Sequence, residues 1–151
     1  MTQVDVKKFS ELTTQELFQI YKLRVAVFVV EQKCYYQEVD DDDLISYHIM
    51  FKDKDGQLMA YSRIIPEDNN RVARIGRVVV NPNNRGDGLG RKLIQTTLAE
   101  SRELFPKASK IVLAGQEYLQ NFYHSFGFKD VSDVYLEDGI PHIDMELLEQ
   151  N

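Results

Sequence analysis

The feature that most limits what this chain can fold into is an apolar run that ends in a glycine-rich loop and passes into a long amphipathic helix. Residues 72–80 close on Val78, Val79 and Val80, the kind of run a doubly covered central strand carries. Asn81-Pro82-Asn83-Asn84 stops it. Arg85-Gly86-Asp87-Gly88-Leu89-Gly90 follows, and residues 88–105 then place Leu89, Leu93, Ile94 and Leu98 on one helical face. Glycines let backbone N–H groups converge on one concavity without side chains in the way. The helix adds its unpaired first-turn N–H groups and the positive end of its dipole. Such a geometry holds phosphate oxygens. No Gly-Lys-Ser/Thr follows, so this is not a Walker loop. The first glycine does not directly follow the strand and no acidic strand-end residue fits, so a dinucleotide fingerprint is also excluded.

Around this unit the chain reads as alternating short elements. Residues 4–9 alternate as a strand. Thr13 or Thr14 caps a helix with Glu16 in its first turn, and Leu17, Ile20, Tyr21, Arg24 and Phe28 share one face. Residues 46–52 and 57–65 form strands joined by Asp53-Lys54-Asp55-Gly56. Strands are expected at 110–114, 128–131 and 140–148, and a short helix at 117–126 closed by Gly127. The order is β-α-β-β-β-α-β-α-β-β. It predicts one α/β (α+β) domain over residues 1–151, in three layers, with a mixed central sheet of about seven strands and helices on both faces. No repeat or Pro/Gly/Ser linker divides the chain.

Composition narrows the function. The net charge is −6, against the basic surface that nucleic-acid binding needs. No apolar run reaches the length of a membrane span, and the N-terminus has no signal-peptide core. A single cysteine, Cys34, excludes an internal disulfide and suits the cytoplasm. The acidic run Asp40-Asp41-Asp42-Asp43 reads as a solvated loop or as an acidic mouth for a cationic amine. It lacks the glycine and the alternation of a calcium loop, so no metal is expected.

The loop resembles the acyl-CoA-binding motif of the GNAT superfamily, Arg/Gln-x-x-Gly-x-Gly/Ala, with Arg85, Gly88 and Gly90 in the defining positions. Tyr123-His124-Ser125-Phe126-Gly127-Phe128 is similar to that family's Tyr-x-x-x-Gly-Phe segment. Further likeness, in Leu23-Arg24-Val25, Val27–Gln32, Tyr36-Gln37-Glu38 and 137–143, points to the ElaA-type subgroup. The resemblance implies an acetyl-CoA-dependent N-acetyltransferase acting on a small-molecule or peptide amine. Acetyl-CoA would lie along Val78, Val79 and Val80, on the loop from Arg85 through Gly86, Asp87, Gly88 and Leu89 to Gly90. Gln116 stands where many family members carry asparagine.

The resemblance gives Tyr123 the role of acid to the departing thiolate; the other reading is a core aromatic. A tyrosine stays protonated at neutral pH and can donate there. For the base the sequence offers His142 first and Glu38 second, with Asp40, His48 and His124 behind them and a water chain as a third route. Arg24, Arg77 and His48 are candidates for the acceptor, and Arg91 for a phosphate or for solvent. Other readings stay open: an acyl-CoA-binding module that has lost turnover, a nucleotide binder using the same loop, and a longer acyl donor. The choice between monomer and homodimer is open.

Overall fold

The structure, a computed structural model, describes residues 2–149. An antiparallel meander leads: β1 (Gln3–Lys8), β2 (Tyr47–Lys52), β3 (Leu58–Glu67) and β4 (Val72–Val80) pair in that order. β5 (Lys110–Gln116) joins β4 in parallel, and β8 (Ile140–Leu148) joins β5 antiparallel. Two short strands, β6 (Lys129–Asp130) and β7 (Tyr135–Glu137), complete the sheet of eight on β8. β7 is absent from the sequence reading; three residues are too few for alternation to register.

Alternating side chains along the strands separate two cores. Ile49, Phe51, Ala60, Ile64, Ala73 and Ile75 pack with Leu93, Ile94 and Leu98 of α2 (Leu89–Leu104) and with Tyr123 of α3 (Gln120–His124). Met50, Tyr61 and Val79 pack on the other face with Ile20 and Leu23 of α1 (Thr14–Arg24). The expected three layers are therefore present, a mixed sheet between helices on both faces. Thr13 starts α1 with a capping box: its side chain accepts from Glu16 N–H, and Glu16 accepts from Thr13 N–H. Among the described residues no helix is long and apolar enough to cross a membrane.

Two departures shape the cleft. The helix does not continue as α through Phe28; residues Val25–Glu31 form a π-helix, closed by the i→i−5 bond from Gln32 N to Val27 O, 3.1 Å. The second lies in β4. Tyr61 faces Val79 and Arg63 faces Gly76, so Arg77 and Val78 together oppose Ser62. This bulge puts Arg77 at φ +53°, a conformation that costs a non-glycine residue about 1–3 kcal/mol. Val78 and Val80 remain half-buried, so the valine run is not doubly covered as the sequence suggested.

Candidate functional site

β4 and β5 pair over only three residues each, Val72, Ala73 and Arg74 against Lys110, Ile111 and Val112. Beyond Arg74 the strands part, and a cleft of about 810 Å³ opens between them. That is the size of a pocket for a large cofactor. Among the described residues the β4 edge turned toward β5 has no ladder partner from Ile75 onward, so its N–H groups are available to an extended ligand.

The glycine loop borders this cleft. Gly86 and Gly88 have φ of +96° and +74°, conformations that favour glycine. Gly88 is the N-cap of α2 and supplies no side-chain cap, so the amides at Leu89, Gly90 and Arg91 keep unpaired first-turn donors. Gly88, Leu89 and Gly90 line the cleft. Arg85 crosses its rim, donating to both carboxylate oxygens of Glu31 at 2.9 and 3.2 Å and to the Val80 carbonyl.

On the floor, Tyr123 is 5% exposed and packs edge-on against Phe122 and Phe128. A Cβ on Gly115 would stand 3.1 Å from the Tyr123 ring, so the bare glycine is what lets the ring lie against β5. Burial pushes the Tyr123 hydroxyl well above the usual tyrosine range, which keeps its proton in place. Gln116 reaches Gln32 of the chain after the π-helix, with Nε2 3.3 Å from Oε1. His142 Nδ1 lies 2.7 Å from the Ile140 carbonyl, an acceptor only, so Nδ1 carries the proton. Nε2 is left as the basic nitrogen, 3.7 Å from Glu137.

The family model described as Acetyltransferase (GNAT) domain matches residues 10–149. The chain belongs to the GNAT acetyltransferase family. This GNAT domain is 52% identical to a UPF0039 protein of Schizosaccharomyces pombe over 93% of each chain. It is 45% identical to Protein ElaA of Escherichia coli over 90% of each. The crystal structure of E. coli ElaA superposes with TM-score 0.89, covering 97% of this chain and 99% of that one. An acyl-CoA N-acyltransferase from Pseudomonas aeruginosa superposes with TM-score 0.90 at 42% identity, over 97% and 99% of the two chains. These relatives support the ElaA-type likeness.

The GNAT domain brings Tyr123, His142, Gln116, Arg77, Val78, Val79, Val80, Arg85, Gly86, Gly88, Leu89 and Gly90 onto one cleft. Other expected residues lie elsewhere. Asp87 is exposed at the loop tip and does not border the cleft. Arg91 turns away, 4.6 Å above the Phe126 ring and bonded to Ser125 Oγ, because α2 rotates its side chain toward α3. His124 pairs with Asp130 outside the cleft.

Three expectations are corrected by burial. His48 is fully enclosed between the Tyr61 hydroxyl (2.6 Å) and the Asp43 carbonyl (2.9 Å), so it has no access to an acceptor. Burial also lowers its pKa and keeps it neutral. Arg24 is fully enclosed and spends its donors on Glu38 and Asp43, so it does not bind substrate. Glu38 is 3% exposed, is held by Arg24 and Arg77 and does not border the cleft, so an incoming amine does not reach it.

The acidic run is likewise no free loop. Asp40 and Asp43 pair with Arg63, and Asp43 also with Arg24. Burial opposes ionisation of both carboxyls, but the guanidinium groups hold them below the usual range. Sequence reasoning missed Arg63, Glu31, Gln32 and Tyr36, which border the cleft. The glycine inside a strand pattern at Gly76 was the available signal for the bulge that organises them. Among the described residues no group of three His, Cys, Asp or Glu side chains is arranged to hold a metal ion.

Proposed function

We propose that this chain moves the acetyl group of acetyl-CoA to a primary amine of a small molecule or peptide, by direct attack in a ternary complex in the cytoplasm. The observation that carries this reading is the parting of β4 and β5, with the glycine loop at one border and Tyr123 on the floor. Bound acetyl-CoA supplies a thioester whose carbonyl carbon accepts the amine and whose C–S bond breaks. The residues present fit it: free amides at Leu89 and Gly90 suit a pyrophosphate, and the open edge of β4 suits a chain of amides.

The Tyr123 hydroxyl holds a proton within the cleft and gives it to the leaving sulfur. His142 Nε2 takes the proton that the amine sheds as it attacks. Gln116 orients the arm of the donor with its side-chain amide. Thermal denaturation with acetyl-CoA, desulfo-CoA and ATP tests the reading, followed by acetyl transfer to a panel of amines. At 100 times Kd the donor should stabilise the fold by about 2.7 kcal/mol. No shift with acetyl-CoA would overturn the proposal. A shift without transfer would leave a binding module in its place, and transfer from longer thioesters alone would redirect it to another acyl group.

A further inference from the structure

The least expected group of side chains lies in and behind the cleft wall. Three arginines from three elements, Arg24 of α1, Arg63 of β3 and Arg77 of β4, close on Glu38, Asp40 and Asp43 of one loop. The charges balance. Arg24 grips Glu38 through Nε (2.9 Å) and Asp43 through Nη1 (2.7 Å). Arg63 grips Asp40 at 2.7 Å and Asp43 at 3.0 Å. The loop is therefore fastened to the helix and to β3, and it offers a fixed anchor to the one residue of β4 that sits in a strained conformation.

That residue is Arg77, the bulge residue at φ +53°. Its Nη2 donates to the Glu38 carbonyl at 2.9 Å and to Asp40 Oδ2 at 3.3 Å. Its Nε lies 2.7 Å from Glu38 Oε2, an ion pair whose N–H is not aimed along a hydrogen bond. The Tyr36 ring covers the guanidinium at 5.6 Å. Resting on the acyl-transfer reading of this cleft, we infer that Glu38 is a positioning residue that acts through Arg77. By clasping the bulge it sets how the unpaired edge of β4, from Arg77 to Val80, presents its amides to the acyl donor.

The bulge has a direct geometric consequence. Ile75 points into the α2-side core before it, and Val79 points into the α1-side core after it. One extra residue thus reverses the facing of the strand and turns its free edge. A strand left to relax would drop the extra residue and slide its register against β3. Glu38 and Asp40 oppose that slide from outside the ladder.

The test is a double-mutant cycle on Glu38→Gln and Arg77→Gly. Glycine adopts a positive φ without strain, so Arg77→Gly removes the clasp while keeping the bulge backbone accessible. Amide hydrogen exchange at Val79, whose backbone faces Tyr61 in the β3–β4 ladder, is read in the ligand-free protein together with kcat and KM for acetyl-CoA. Either single variant should accelerate exchange at this amide and lower kcat/KM at least about tenfold, the scale that a small misplacement costs. The double variant should be no worse than Arg77→Gly alone.

Arg77→Gly should melt close to the wild type, so the lost activity would not follow lost folding. Should Glu38→Gln fail to fold, Arg77→Gly and Arg77→Lys carry the test, the lysine restoring activity only in part. Wild-type exchange and wild-type kcat/KM in Arg77→Gly would overturn the inference, as would multiplying effects in the double variant. If the wild type binds no acetyl-CoA, the acyl-transfer reading falls, and the exchange cycle still decides whether Glu38 holds the bulge.

Discussion

Gln116 and His142 face each other across the β5–β8 ladder, the register pair at which this ladder reaches the cleft. Pairing with β5 fixes the backbone of His142, and the bond from Nδ1 to the Ile140 carbonyl fixes its ring. Glu137 stands 3.7 Å from Nε2. If His142 is the base, His142→Gln should flatten the acid limb of the kcat/KM profile, measured from pH 5 to 9. A profile of unchanged shape and height would assign the proton to water.

Tyr123→Phe removes one oxygen from a ring whose packing against Phe122 and Phe128 is otherwise kept. Turnover should fall at least about tenfold, with the Kd of acetyl-CoA nearly unchanged. Calorimetric titration beside steady-state kinetics separates the two quantities. Unchanged turnover would return Tyr123 to the role of a core aromatic.

Gly88 and Gly90 predict opposite outcomes. Gly88→Ala forces a Cβ into a φ of +74° and should destabilise the loop by about 1 kcal/mol, weakening acetyl-CoA binding. A Cβ on Gly90 would meet Val80 Cγ2 at 3.8 Å, an ordinary contact, so Gly90→Ala should bind nearly as the wild type does. Equal losses in both, by titration, would show that the loop conformation is not what holds the coenzyme.

Glu16 predicts an acid-labile part of the stability. Burial alone would raise its carboxyl, but hydrogen bonds from Lys52, Thr13 N–H and Lys7 hold it at about 2. A depressed carboxyl stabilises the fold above its unfolded pKa, and that contribution fades as pH falls through about 2. Glu16→Gln should therefore lower stability by roughly 1–3 kcal/mol at pH 7, the worth of hydrogen bonds to a charged group. The difference from the wild type should shrink between pH 4.5 and 2 in urea unfolding. A gap independent of pH would mean that packing, not charge, is what the carboxylate contributes.

Local physics made much of this chain legible in sequence. The capping box at Thr13 and Glu16, the glycine punctuation from Gly86 to Gly90, and the helical spacing of Leu93, Ile94 and Leu98 act within a few residues of themselves. They determined the order of the elements, the three layers and the position of the phosphate-type loop. The tertiary structure alone decided that β4 and β5 part after Arg74, that Arg77 bulges, and that Arg24, Glu38 and His48 lie buried beside the cleft rather than in it. Ion pairs such as Arg24–Asp43 and Arg63–Asp40 join residues about 20 positions apart. Whether a charge faces solvent or a partner depends on which strands lie side by side, and no short window of sequence carries that information.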